Sequence, residues 1–379
     1  MMVLPMSVDL NGATPALIQC DSQVGAIRIA AMSLLDRLVV AVHRAGCRPI
    51  RIYCPGELPS LKRSKALGIE MEVVSTLPAI TEPTLFADCR VLVQAPDLRA
   101  VIAGSGRLTT PAGELLPIGR VRGLEPGLDA VLRLLPSIPA NGVCGRVSDT
   151  ASARVMERAL WASLGSSSDG VVDIYFNRPL GRFLSKALIH TPVTPNQVTV
   201  GSALLGLVSA WFFARGSYPA GILGAVILQL SAFVDCVDGD VARVVFKESA
   251  IGKWLDLGLD QVVHVAVFAA LAIGAFQHGG AGPVLWLGAS AVMGAVVAFP
   301  LVVRARLLAN KDTDTKLERF IDAASTRDFT VLILFLALIE RLEWFLWLTA
   351  ITVHIFWLTV LLLQLPKRAR TKPVNGPVA

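Results

Sequence analysis

The chain is poor in charge. Only 17% of its 379 residues are Asp, Glu, Lys or Arg, against about 25% in ordinary soluble domains. Hydrophobic residues make up 54%, and the mean hydropathy is +0.60. Together these exclude a uniformly soluble enzyme and a disordered chain. The six cysteines, Cys20, Cys47, Cys54, Cys89, Cys144 and Cys236, show no C-x-x-C spacing. That excludes a zinc or disulfide framework and leaves buried thiols in a reducing compartment. No charged-then-apolar leader opens the chain, so no signal peptide is expected. Residues 1–165 also lack any stretch long enough to cross a bilayer.

What is present falls into two parts. Within residues 1–165, short apolar runs (Pro49–Cys54, Glu70–Val74, Arg90–Gln94) alternate with helical patterns near Ile29–Ala45 and Ala151–Leu164. This predicts an α/β domain with a largely parallel sheet. Ser166–Ser168 with Asp169-Gly170 reads as a linker. In residues 166–379 the character changes. Tyr175–Thr191 is amphipathic and basic and fits a helix lying in the membrane interface. Beyond Thr194-Pro195-Asn196 come six apolar spans near 197–214, 218–242, 252–276, 283–303, 328–340 and 344–365. With 328–340 extended by its flanks, each approaches the roughly 20 residues needed to cross hydrocarbon, the fifth being the weakest because Glu340, Arg341 and Glu343 crowd its end. An all-α membrane domain of six transmembrane helices with an interfacial helix is therefore expected.

The connections carry an orientation signal. On one side lie Arg243, Lys247, Lys253, Arg304, Arg306, Lys311, Lys316, Arg319, Arg327 and the tail Lys367, Arg368, Arg370 and Lys372. The other side has only Arg215 and Arg341. The positive-inside rule then places both termini and the α/β domain in the cytoplasm, with the helices in the cell inner membrane.

Carboxylates inside membrane spans are costly and mark function. Asp235 and Asp238 are three apart, and Asp256 and Asp260 four apart, so each pair shares one helix face. The short connection Val244–Ile251 makes the two helices antiparallel neighbours, and the pairs converge. Four close carboxylates need cations between them. Oxygen-only ligands suit Mg²⁺ or Mn²⁺, and two such ions can clamp a pyrophosphate. Gly239, Ala242 and Gly252 leave room for a ligand at the backbone, and Arg243 supplies a fixed positive charge. Asp240 falls off this face, roughly 140° from Asp235. His264 continues the Asp256–Asp260 stripe and is read as packing.

The run D-x2-D-G-x2-A-R-x8-G-x3-D-x3-D over residues 235–260 resembles the signature of the CDP-alcohol phosphotransferase family. The resemblance implies a membrane enzyme that displaces CMP from a CDP-alcohol with an acceptor hydroxyl. It implies that Asp235, Asp238, Asp256 and Asp260 hold two divalent ions, with Asp260 also the general base. Gly239, Arg243 and Ser249 then fall where the family contacts the CDP portion. Thr194-Pro195-Asn196 with Thr199 is similar to the family's T-P-N-x-x-T entry, which lines the nucleotide site. A homodimer and contact with membrane lipids follow from the same resemblance, with no nucleic-acid partner.

The run from Ser168-Asp169-Gly170 through Asn177-Arg178-Pro179 to Thr194-Pro195-Asn196-Gln197-Val198-Thr199 resembles one branch of the family. That branch fuses an inositol-1-phosphate cytidylyltransferase to a di-myo-inositol phosphate phosphate synthase. It implies CDP-inositol as donor and a polyol phosphate as acceptor, with CDP-diacylglycerol the alternative donor of a phosphatidyltransferase. The first domain departs from the branch. Where a nucleotidyltransferase carries L-A-A-G-x-G-x-R, this chain has Ala16–Gly25 with a single glycine. It reads as a degenerate nucleotidyltransferase-like scaffold. On the inner connection, Arg304 and Arg327 are the candidates for an acceptor phosphate. Two rivals stand beside the enzyme: an ion-coupled carrier, and a protein that binds without turning over. The first lacks the paired repeats of carriers, and the intact aspartate quartet argues against the second.

Overall fold

A computed structural model describes residues 13–123, 127–166, 169–279, 282–308 and 315–365. Ser167 and Ser168 of the expected linker, and the basic residues Lys311, Lys367, Arg368, Arg370 and Lys372, lie outside the described residues. The chain divides into two compact units. The first is Met1–Leu164 with Lys186–Pro192 and Val241–Lys247; the second is Gly165–Ser185, Val193–Asp240 and Glu248–Ala379.

The first unit is built on a seven-stranded sheet. Its strands are β1 (Ala16–Gln19), β2 (Ile50–Tyr53), β3 (Glu72–Val74), β4 (Thr84–Asp88), β5 (Arg107–Thr109), β6 (Leu115–Val121) and β7 (Ser137–Pro139). Their order across the sheet is β7-β5-β6-β4-β1-β2-β3. β1 runs parallel to β2 and β4, β2 to β3, and β5 to β7. The exception is β6, antiparallel to both neighbours. Leu17, Phe86, Val121 and Leu132 form part of its core, each at most 2% exposed.

Two local details differ from the sequence pattern. The sheet strand is Thr84–Asp88, fully buried, whereas 90–94 yields only Val91–Leu92 paired with Gly145–Arg146. The chain turns between them because the Asp88 carboxylate accepts the Arg90 amide at 2.8 Å. Helix α1 (Leu34–Arg44) starts five residues late, because Ala30 and Ala31 (φ 44° and 68°) make a tight turn between Arg28–Ile29 and Met32–Ser33. Ser33 then caps the helix, its hydroxyl accepting the Asp36 amide. Helix α2 (Thr150–Ala162) opens on a capping box formed by Asp149 and Ser152. All six cysteines are buried and free.

The second unit is helical. After one wide turn, Asp173–Asn177, come α3 (Arg178–Leu188), α4 (Pro195–Phe213), α5 (Tyr218–Val244), α6 (Ala250–Gln277), α7 (Pro283–Leu308), α8 (Thr315–Ala324), α9 (Phe329–Leu338) and α10 (Leu342–Gln364). Among the described residues, α4, α5, α6, α7 and α10 are long and apolar enough to cross a membrane. The expected span at 328–340 is instead a ten-residue helix, α9. It ends at a left-handed turn, Glu340 at φ 57°, where the charges Glu340 and Arg341 interrupt the apolar run before α10. Phe268, Leu271, Ile333, Leu336 and Leu346 pack in the centre. Gly206 lets α4 approach α6, since a Cβ there would lie 2.6 Å from Val263. The Thr194-Pro195-Asn196 entry is a helix start: Thr194 and Gln197 form a capping box with proline in the first turn.

Candidate functional site

Helix α5 presents Asp235 and Asp238, and α6 presents Asp256 and Asp260. Carboxylate oxygens of Asp235, Asp238 and Asp256 all lie within 4.8 Å of one another. Asp260, one turn beyond Asp256, is outside that trio and faces the Arg327 guanidinium at 3.8 Å. Arg327 also pairs directly with Asp235, which is 7% exposed. Around the trio stand donors from α4. Thr199 donates its hydroxyl hydrogen to Asp238, and Ser202 Oγ lies 3.2 Å from Asp235 Oδ1.

This donor set fits a divalent cation. Every ligand atom is a hard carboxylate oxygen, which favours Mg²⁺ or Mn²⁺ over softer metals. Asp256 Oδ1 is buried and accepts no hydrogen bond from any described residue. A buried carboxylate oxygen left bare is costly, and a cation satisfies it.

At the start of α6 three more expected residues meet. Ser249 caps the helix, accepting the Gly252 amide at 2.9 Å. A Cβ on Gly252 would lie 2.9 Å from Asn196 Oδ1 and 3.0 Å from Ser249 Oγ, so a side chain there would crowd both. This junction is one helical turn before Asp256. Gly239 follows Asp238 on α5, half-buried. Ala242 and Arg243 fall in Val241–Lys247, the stretch that belongs to the first unit. Arg304 stands exposed near the end of α7, and the geometry brings it to none of the aspartates above. Its neighbour Arg306 pairs with Asp322 at 2.5 Å.

A cavity of about 480 Å³ opens beside the carboxylates, lined by Asp235, Asp260, Arg327, His264, Phe268 and Phe345 among others. His264 is packed between aromatic rings, 6.1 Å from Phe268 and 5.4 Å from Phe329, centroid to centroid. Asp240 points away from the trio and binds Arg178 at 2.6 Å. Asp240 thus lies off the carboxylate face, whereas His264 lies on it and lines the cavity beside Asp260.

Sequence reasoning missed Ser202 and the roles of Asp169, Arg178 and Asp328. Ser202 had a signal, three residues after Thr199 on the same face. For the others the S-D-G and N-R-P runs were visible, but their partners lie 60 to 160 residues away.

Residues 192–363 match the model of the family described as CDP-alcohol phosphatidyltransferase. Over 140 residues the chain is 34% identical to the bifunctional IPC transferase and DIPP synthase of Aquifex aeolicus, covering 36% of this chain and 32% of that protein. Over 97 residues it is 33% identical to the archaetidylinositol phosphate synthase of Pyrococcus horikoshii, covering 26% of this chain and 50% of that protein. The chain thus spans about a third or less of the length of the first curated relatives it matches. A solved structure, Mycobacterium tuberculosis phosphatidylinositol phosphate synthase with CDP-DAG bound, is similar with a TM-score of 0.39 and 19% identity, covering 48% of this chain and 92% of that one.

Proposed function

We propose, from the premise that residues 192–363 are a CDP-alcohol phosphatidyltransferase domain, that this protein transfers a substituted phosphate from a CDP-alcohol to an acceptor hydroxyl and releases CMP. The observation that carries the reading is the trio Asp235, Asp238 and Asp256, with oxygens within 4.8 Å and one of them bare. These residues, with Asp260, would hold two Mg²⁺ ions, Mn²⁺ being an alternative. Bound there, the ions supply charge neutralisation for the pyrophosphate and the departing CMP.

The protein's own groups do the rest. Thr199 and Ser202 hold Asp238 and Asp235 in one orientation. The Asn196–Ser249–Gly252 junction is a glycine-lined approach for the nucleotide. Asp260, at the cavity wall and outside the trio, takes the proton of the acceptor hydroxyl. That oxygen bonds to the phosphorus carrying the alcohol substituent, and the bond to CMP breaks. Arg327, on the same wall, receives a phosphate on the acceptor. Arg243 and Gly239 remain candidates for the CDP portion and Arg304 for acceptor phosphate.

The acceptor in this reading is a polyol phosphate of the inositol class and the donor CDP-inositol. A relative named as an archaetidylinositol phosphate synthase supports the inositol-phosphate acceptor, and CDP-inositol follows from the likeness to the bifunctional branch. The aromatic cavity wall favours CDP-diacylglycerol as the second donor, since Phe268 and Phe345 suit hydrocarbon. The first unit carries no step. After β1 the chain makes one helical turn, Ser22–Gly25, capped by Asp21, where a phosphate cradle would need glycine-rich backbone.

The membrane assignment follows the same reading. We take α9 and its flanks as a sixth crossing and the segment through α3 as interfacial. Tyr175, Phe176 and Phe183 are 61–78% exposed, and Asp173, Asn177 and Arg178 on the opposite side are buried. The site and both termini face the cytoplasm across the inner membrane, in a homodimer.

The test is CMP release by purified, detergent-solubilised protein with Mg²⁺. CDP-inositol and CDP-diacylglycerol are offered separately, each with inositol, inositol phosphate or glycerol phosphate. Release from CDP-inositol supports the polyol reading; release from CDP-diacylglycerol alone makes the protein a phosphatidyltransferase. Silence with both donors, in Mg²⁺ and in Mn²⁺, overturns the enzyme.

A further inference from the structure

The segment Asp169–Arg178, expected to be a linker running into an interfacial helix, is bolted into the second unit at two places. The first is α5. Arg178 is held by Asp169, with Nη2 to Oδ1 at 2.7 Å, and by Asp240, all three side chains at most 6% exposed. Asn177 donates to Asp173 and accepts from Gln229 of α5, each at 2.8 Å. The second is the start of α9. The Asp328 carboxylate accepts the amides of Val171 at 3.1 Å and Val172 at 2.9 Å. Gly170 is what admits it, because a Cβ there would overlap that carboxylate. Thr330 closes the loop, donating to Gln229 at 2.7 Å.

Between the two bolts sits Arg327. It is adjacent in sequence to Asp328 and precedes α9, yet its guanidinium reaches back to Asp235 and Asp260. Its backbone is therefore fixed by an aspartate that the Asp169–Arg178 segment holds through two amides. Of the carboxylates it faces, Asp235 stands on α5, the helix that carries Gln229 and Asp240 of the same network.

We propose that Asp169–Arg178 is a positioning bracket that sets Arg327 against Asp235 and Asp260 and so sets the affinity for an acceptor phosphate. The inference rests on the functional reading above, which places a phosphate at Arg327. Arg178 has a second part in it. It balances Asp240, so the charge of that aspartate is compensated and α5 presents only Asp235 and Asp238 to the cation.

The experiment uses the full chain in detergent with Mg²⁺ and measures binding of inositol phosphate and, separately, of CDP. Asp328→Asn weakens inositol phosphate about tenfold and leaves CDP affinity within about twofold, the scale of lost orientation around a charged group. Arg327→Ala weakens inositol phosphate at least as much. The double variant is no weaker than Arg327→Ala alone, because Asp328 acts through Arg327. A general loosening of the fold would instead lower both affinities together. Should Asp328→Asn not fold, Gly170→Ala keeps the carboxylate, displaces it, and is expected to give the same selective loss. Additive effects of Asp328 and Arg327, or folded variants that bind inositol phosphate like the parent, overturn the bracket alone. A parent chain that neither binds inositol phosphate nor releases CMP overturns the functional reading and the bracket with it.

Discussion

Both units bury carboxylates, but among the described residues only the second crowds three of them together. In the first, Asp36 (2% exposed) accepts the amides of Arg63 and Ser64 at 2.7 and 2.8 Å and the Ser64 hydroxyl at 2.5 Å. Asp97 takes the amides of Asn141 and Gly142 on Oδ1 alone, standing apart from other carboxylates. These acids finish helices and turns, each accepting two backbone amides. In the second, Asp235, Asp238 and Asp256 crowd together, receive two hydroxyls and one guanidinium, and leave an oxygen bare. An isolated carboxylate held by backbone amides is a structural acid. Three carboxylates crowded together mark a ligand-holding site, because their repulsion is relieved only when a cation arrives.

Substitutions sharpen that contrast. The largest effect is expected at Asp256→Asn, with CMP release falling about a thousandfold as one metal ligand and its charge disappear. Its melting temperature in EDTA is at least that of the parent, since repulsion among the trio is relieved. A lower melting temperature would place Asp256 with the structural acids. Asp36→Ala should do the reverse. It strands two amides at the start of Lys62–Ala66 and destabilises the first unit by about 3 kcal/mol, read by denaturant unfolding. CMP release per folded molecule is expected to be unchanged.

Thr199→Val tests whether a single hydroxyl tunes the cluster. Loss of its bond to Asp238 should raise the Mg²⁺ concentration for half-maximal CMP release about tenfold. The smallest effect is at Asp149, the exposed cap of α2. Hydrogen bonds from the Ser152 amide and hydroxyl hold its carboxyl below the usual carboxylate range. A depressed carboxyl contributes stability above its unfolded value and loses it as pH falls through the folded one. The stability difference between the parent and Asp149→Ala should therefore be present at neutral pH and vanish in acid, as unfolding curves at several pH values would show.

Much of the site was legible because helical geometry is local. Asp235 and Asp238, or Asp256 and Asp260, share a face by spacing alone, and Asp240 is excluded by the same rule. The T-P-N entry, the Ser249 cap and the glycine at 252 were also present as short patterns. The part that was not legible is the part carried by distant pairs. Arg178 and Asp240 are 62 residues apart, and Asp328 reaches Val171 and Val172 across more than 150. Nothing in the S-D-G run announces which carboxylate its glycine must admit.

What the sequence by itself determined is the division into an α/β part and an apolar helical part, the positions of the long spans, and which carboxylates share a face. Each depends on hydrophobic periodicity or on the fixed rise and turn of a helix. Only the tertiary structure decided that β6 runs against its neighbours and that 328–340 shortens to α9. It alone decided that Asp260 stands apart from the trio beside Arg327, and that Asp169–Arg178 is tied to α5 and to the start of α9 by side chains distant in sequence. These depend on which surfaces meet when elements pack, and such contacts carry no period along the chain.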